Sequence, residues 1–234
     1  HSVRSRFDGF DVGRVHTLSR FAQRFGRHTE IVRRVAIQTG CVGADRLVAA
    51  RPHGIDDLAG RRVGGADKGL LAYRGAPVSA HLSALLRSVA DELLISCNRN
   101  AEQYRQWADQ LVTDSSTDYP GPLAGILSGL RQARGEQLLV LPCDMPLIDQ
   151  PLLERLISQA DPDRPVFFRT GEQPQPLPCL IPRGLLPALE YAWLQGERSP
   201  LRWLRTMDAI CLDLAADEPR LTSANTPTLW QALQ

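Results

Sequence analysis

Four consecutive apolar residues, Leu138-Leu139-Val140-Leu141, run straight into Pro142-Cys143-Asp144-Met145-Pro146. Side chains alternate between the two faces of a strand, so a short run that is apolar throughout is covered on both. Such a run belongs to the centre of a parallel sheet rather than to its edge. The flanking sequence supplies the cover. Val78 to Val89 has apolar residues at helical spacing, and Leu93-Leu94-Ile95-Ser96-Cys97 reads as a second buried strand. Ala101 to Leu111, Leu123 to Ala133 and Leu152 to Ala160 read as helices, and Val166-Phe167-Phe168 opens another strand. Strands alternating with helices fold as an α/β domain. The expectation is a Rossmann-like three-layer sandwich with a mostly parallel central sheet. Ligands bind such sheets at the carboxyl ends of the strands.

The chain has 234 residues, 43% of them hydrophobic and 23% charged, enough for one large domain or a domain with an extension. No apolar stretch approaches the ~20 residues that cross a bilayer, and no secretory signal is visible. The five cysteines, Cys41, Cys97, Cys143, Cys179 and Cys211, form no C-x-x-C pair. That disfavours zinc and disulfide frameworks and favours a reducing cytoplasm. Every histidine lies at or before His81, so imidazole chemistry is excluded from the larger C-terminal part. Residues 1–52 carry ten arginines against four acidic residues. A basic, weakly patterned stretch of this kind reads as a solvated extension rather than a nucleic-acid arm. The domain reading is therefore a basic extension over 1–45 and a folded domain over 46–234, with neither membrane nor nucleic acid as partner.

Chemistry is concentrated at a few strings. Asp144 follows the central strand directly and faces the crevice, where a carboxylate suits Mg²⁺, which takes hard oxygen ligands from one or two carboxylates and substrate phosphates. Read alone, the same aspartate also closes the strand in an Asx-turn. Lys68 is the only lysine, and it lies in Gly64-Gly65-Ala66-Asp67-Lys68-Gly69. Glycines let backbone N–H groups approach phosphate, and a compact ammonium beside them neutralises its charge. Read alone, the string also fits a Gly-rich turn with one exposed lysine. A further carboxylate, Asp114, precedes Asp118-Tyr119-Pro120-Gly121-Pro122-Leu123-Ala124-Gly125, which enters a helix through Gly-Pro.

Together these strings resemble the molybdenum cofactor guanylyltransferases, within the Rossmann-like nucleotidyltransferases. The resemblance rests on Arg61 to Leu71, Ser96-Cys97-Asn98-Arg99-Asn100, Asp118 to Ile126 and Leu141 to Pro146. Gly196-Glu197-Arg198 and Asn225-Thr226-Pro227 extend it over roughly residues 55 to 234. It implies transfer of GMP from Mg-GTP to molybdenum-bound molybdopterin, with release of pyrophosphate. On that likeness Lys68, Arg62 and Asp144 are catalytic and Asp144 carries Mg²⁺. Leu58, Ala59, Gly60, Gly64, Gly65 and Lys68 line the nucleotide loop. Ser96, Asn98, Asp114, Gly121 and Pro122 complete the nucleotide site, with Ser96 standing where the family often has asparagine. Partners implied are GTP, the pterin acceptor, and chaperones or insertion proteins of molybdoenzymes. A related cytidylyl- or sugar-phosphate nucleotidyltransferase, or a nucleotide-binding homologue without turnover, shares the same strings.

One stretch departs from the family pattern. Ile55-Asp56-Asp57-Leu58-Ala59-Gly60 stands where the family's first strand runs apolar into its phosphate loop, and three residues are missing between Gly60 and Arg61. Asp56 and Asp57 would each enter a helix-covered face, at a cost of several kcal/mol. The strand is then displaced or the loop is altered.

Overall fold

The computed structural model describes residues 34–39, 67–113 and 121–233. Its central sheet has seven strands. They are β1 (Arg34–Thr39), β4 (Glu92–Ser96), β5 (Gln110–Val112), β6 (Gln137–Pro142), β7 (Val166–Thr170), β8 (Gln173–Pro182) and β9 (Ile210–Leu214). The order is β5-β4-β1-β6-β8-β7-β9, and β2 (Ala72–Tyr73) and β3 (Ala76–Pro77) form a separate hairpin. β1 pairs in parallel with both β4 and β6, Ile37 lying opposite Leu94 on one side and Val140 on the other. Only β8 runs against its neighbours β6 and β7. The chain passes from β1 outward to β4 and β5, then returns to β6 on the far side of β1. That reversal is a topological switch point, which opens a crevice at the carboxyl ends of β4, β1 and β6.

Every residue of β6 is buried, as its unbroken apolar run requires. Leu139 and Leu141 pack with Ala36 and Leu93 beneath α1 (Val78–Arg87) and α4 (Gln150–Ile157). Leu138 and Val140 point the other way, with Ile37 and Leu94, into α3 (Pro122–Gln132), α5 (Leu186–Leu194) and α6 (Pro200–Thr206). Helices thus cover both faces and the three-layer sandwich is formed. The helices carry local start signals: Asp149 accepts from the N–H of Leu152 at 3.0 Å to cap α4, and Ser199 caps α6.

Three expectations change. Ala101 to Leu111 is not one helix: α2 covers only Ala101–Tyr104, and Gln110–Val112 is the edge strand β5. Trp107 and Ala108 pack into a small cluster around Tyr104, which ends the helix early and turns the chain back to the sheet. The boundary between residues 45 and 46 is also displaced, because β1 at Arg34–Thr39 lies inside the stretch assigned to an extension. Its Ala36 and Ile37 are fully buried, one on each face. Finally, the slot between β4 and β6 is filled by β1, so the strand position assigned to Ile55–Leu58 is already taken. The first strand is displaced upstream of Asp56 and Asp57 in the sequence. Those two residues, like Gly60, lie outside the described residues.

Candidate functional site

Side chains from three distant segments meet at the carboxyl edge of β6. Asp144, two residues past the strand, has a side chain 19% exposed, and its Oδ2 lies 3.6 Å from the Nζ of Lys68. Lys68, 13% exposed at the side chain, donates to the Oδ1 of Asn225 at 2.8 Å. The Asn225 segment is fastened in turn, because the N–H of Ala224 donates to the carbonyl of Asp144 at 2.7 Å. α7 (Pro227–Ala232) then docks on the hairpin, with the indole N–H of Trp230 donating to the carbonyl of Ala72 at 2.9 Å. Burial raises the Asp144 carboxyl above the ordinary carboxylate range, and the Lys68 ammonium only partly opposes this. Loss of hydration on burial outweighs the attraction of the ammonium.

Lys68 opens a 3-10 turn over Lys68–Leu70, capped by Asp67, whose Oδ1 accepts from the N–H of Gly69 at 3.2 Å. The tips of β4 and β5 complete one wall. Ser96 is buried at the last position of β4, Asn98 is exposed just beyond it, and the N–H of Cys97 donates to the carbonyl of Val112 at 2.9 Å. α3 begins with Gly121 at φ +85°, left-handed backbone that a side chain would strain, followed by Pro122. Gly121 offers no capping side chain, so among the described residues no side chain caps the positive end of α3. Next to Gly121 lies the backbone of Arg198, whose guanidinium stacks 3.8 Å from the centroid of the Trp193 ring. Arg202 clasps Glu197 through hydrogen bonds at 2.8 to 3.1 Å, holding that carboxyl down to about 2.

Of the residues expected in the site, Lys68 and Asp144 are brought together, and Ser96, Asn98, Gly121 and Pro122 lie on the same edge of the sheet. Arg62, Leu58, Ala59, Gly60, Gly64, Gly65 and Asp114 lie outside the described residues. Asn225, which joins Lys68 and Asp144 there, is absent from the residues expected in the site. Its signal is the string Asn225-Thr226-Pro227, which carries the family likeness but by itself suggests no role. Among the described residues, no group of three His, Cys, Asp or Glu side chains converges to hold a metal. A concavity of about 900 Å³ lies at the opposite edge of the sheet, between Arg34, Gln137 and Arg183, and includes none of these residues.

The profile of the MobA-like NTP transferase domain matches residues 59–210. A molybdenum cofactor guanylyltransferase of Pseudomonas fluorescens (strain SBW25) is 53% identical over 174 residues, 74% of this chain and 87% of the relative. One from Pseudomonas syringae pv. tomato is 51% identical over 172 residues, 73% of this chain and 86% of the relative. The chain belongs to this family. Its members are nucleotidyltransferases, and this chain is one. In fold it is similar to the molybdopterin-guanine dinucleotide biosynthesis protein A of Archaeoglobus fulgidus, with a TM-score of 0.60 and 21% identity over 86% of this chain and 96% of that one. It is similarly related to the 2-C-methyl-D-erythritol 4-phosphate cytidylyltransferase of Thermus thermophilus, with a TM-score of 0.58 and 15% identity over 85% and 95%. These likenesses are of fold, and fold alone assigns no base. No helix among the described residues is long and apolar enough to cross a membrane.

Proposed function

We propose that this chain transfers GMP from GTP to molybdenum-bound molybdopterin, giving the guanine dinucleotide cofactor and pyrophosphate. The observation that carries the reading is the meeting of Lys68, Asp144 and Asn225, each from a different family string, at the carboxyl edge of the central sheet. The half-identical relatives support guanine and the pterin as substrates.

The reaction makes one bond and breaks one. A terminal phosphate oxygen of the pterin attacks the α-phosphorus of GTP, and the bond from that phosphorus to the bridging oxygen of the β-phosphate breaks. Pyrophosphate leaves with the bonding electrons. No protein nucleophile is needed, so the chain's task is to align two anions and offset their charge. Lys68 is placed to lie against the phosphates while Asn225 fixes its ammonium. The open start of α3 points further backbone donors at anionic groups. Asn98, exposed at the tip of β4, faces the base, with Ser96 buried behind it at the strand's last position.

Asp144 fits a hard divalent cation: its carboxylate is largely buried, burial raises its pKa, and its own backbone carbonyl holds the N–H of Ala224, next to Asn225. Mg²⁺ commonly takes one or two carboxylates with the remainder from substrate phosphates, so Asp144 would hold it together with the triphosphate. When bound, the ion supplies charge neutralisation at the phosphates.

The test is pyrophosphate release with Mg-GTP in the presence and absence of loaded pterin, with CTP in parallel and the dinucleotide identified by mass. Release that requires both GTP and the pterin is the expected result. A preference for CTP, or release indifferent to the pterin, would overturn the assignment.

A further inference from the structure

Adjacent side chains at positions 67 and 68 have separate sets of partners. Lys68 turns to Asn225 and Asp144, whereas Asp67 is tied to the segment that follows β4. The Oδ1 of Asp67 accepts from the Tyr104 hydroxyl at 2.5 Å and from the N–H of Gly69 at 3.2 Å. Its Oδ2 accepts from the Nδ2 of Asn100 at 2.8 Å and lies 3.7 Å from the Nε of Arg99. The carboxylate is 4% exposed. Both oxygens are committed to donors, so a metal ion would have to displace them; this is a tether and not a ligand.

The far end of the tether is also fixed. Tyr104 is fully buried and meets the Trp107 ring edge-on at 5.9 Å. Asn100 sits in left-handed backbone at φ +55°, a conformation that asparagine tolerates, and its carbonyl accepts from the N–H of Gln103 at 2.9 Å. Residues 99 to 104, a left-handed corner at Asn100 followed by the short helix α2, are continuous with Ser96-Cys97-Asn98. Charge-assisted bonds within a buried cluster transmit displacement because their geometry leaves little slack.

We propose that Asp67 is a positioning residue that links the base-contacting tip of β4 to Lys68, so that alignment of the phosphates depends on which base is bound. A base that seats correctly leaves the 96–100 turn, Asp67 and the Lys68 peptide in register. A base that displaces the turn pulls the lysine off the phosphates, so discrimination appears in kcat as well as in KM. The inference rests on the guanylyltransferase reading of the site.

The experiment measures kcat and KM for GTP and for ITP, which lacks the exocyclic amine, with loaded pterin as acceptor. The proteins are the parent, Asp67→Asn, Tyr104→Phe, Lys68→Ala and the Asp67→Asn/Lys68→Ala double variant. Asp67→Asn is expected to lower kcat with GTP by ~10–100-fold, the scale of a small misplacement of reacting groups. ITP should lose less, so the GTP preference should contract by about 5-fold or more, the scale of a typical coupling between sites. Tyr104→Phe should shift the preference the same way by less. In the Lys68→Ala background Asp67→Asn should change kcat by less than about 2-fold, because the group it acts through is gone. Equal losses for both nucleotides that persist without Lys68 would show a merely structural role and overturn the proposal. Should Asp67→Asn fail to fold, Tyr104→Phe decides: an altered preference supports the link and an unaltered one refutes it. A parent enzyme that uses another nucleotide would refute the guanylyl assignment alone, and the same variants would then be read with that nucleotide and its nearest base analogue. A parent that binds no Mg-nucleotide would refute both.

Discussion

Exchanging one methyl group across the interface between β1 and α3 tests whether Arg34–Thr39 is the central strand. A methyl built on Gly129, in the middle of α3, would lie 2.6 Å from the Cδ1 of Ile37, 3.3 Å from the Cδ2 of Leu138 and 3.5 Å from the Cγ2 of Ile37. The helix approaches the strand so closely only because position 129 has no side chain. Ile37→Val removes Cδ1 alone, which in a buried site costs about 0.5–1.5 kcal/mol. Gly129→Ala gains about 1 kcal/mol of helix propensity, but against the intact isoleucine it overpacks, at about 1–3 kcal/mol. In the double variant the offending atom is gone, and the new methyl fills the space once the Cδ2 of Leu138, 3.3 Å away, gives by a few tenths of an ångström. The pair should therefore be at least as stable as Ile37→Val alone, with a favourable coupling of roughly 1–2 kcal/mol. Urea unfolding of the four proteins, compared at a common m-value, measures that coupling. Strictly additive effects, or an Ile37→Val change too small to measure, would mean that Ile37 does not lie under Gly129 and that β1 does not fill the slot between β4 and β6.

Asp144→Asn should keep the fold and lose at least ~100-fold in Mg²⁺-supported turnover, measured by pyrophosphate release. Because burial holds the Asp144 carboxyl above its ordinary range, the folded protein binds more protons than the unfolded chain between that raised value and the usual carboxylate pKa. Stability from this group is thus present at low pH and lost as pH rises through the raised value; Asp144→Asn should flatten that slope in thermal melts taken across the acid range. Lys68→Arg should cut turnover by about 10-fold or more with an unfolding midpoint close to the parent's, and unchanged kinetics would mean that charge alone matters at position 68. Removing residues 1–45 takes away β1 with its buried Ala36 and Ile37; circular dichroism should show loss of cooperative unfolding, and a truncated chain with parental stability would contradict the sheet order.

The architecture was legible wherever periodicity was strong. β6, α1, α3 and α4 appear within a few residues of where their apolar spacing puts them, because burial on one or both faces leaves a pattern in the chain. The position of Asp144 at the sheet's carboxyl edge was legible for a related reason, since it directly follows an apolar strand, and the structure brings Lys68 to within 3.6 Å of it. β1 was not legible. Arg34 and Gln38 flank and interrupt Val35-Ala36-Ile37, and three apolar residues in an arginine-rich stretch resemble an accident of composition. What qualifies them is long-range, namely that β4 and β6 each offer an open parallel edge at that register. Asn225 was hidden in the same way: nothing local says that a residue 157 positions away accepts from Lys68. The early end of α2 was set by burial of Tyr104 and its tether to Asp67, a contact between segments rather than a breaker residue.

The contacts of Lys68 also give a reason why this one basic residue is lysine when every other is arginine. Its Nζ lies 2.8 Å from a neutral acceptor, Asn225, and 3.6 Å from a carboxylate, Asp144. An ammonium has three donors that rotate freely about the last bond, so it can keep Asn225, leave Asp144 at ion-pair distance and present the remaining proton to a phosphate. A guanidinium at the same place has a planar fork whose best partner is a carboxylate gripped by two bonds. It would close on Asp144, drawing into one pair both the positive charge proposed for the phosphates and the oxygen atoms proposed for a cation. Asp67 restrains the same peptide from the other side, so the lysine has little room to retreat. On this argument the choice of lysine follows from what the proposed transfer asks of the resting site: a buried carboxylate and an ammonium held 3.6 Å apart, paired loosely enough for a triphosphate to engage both.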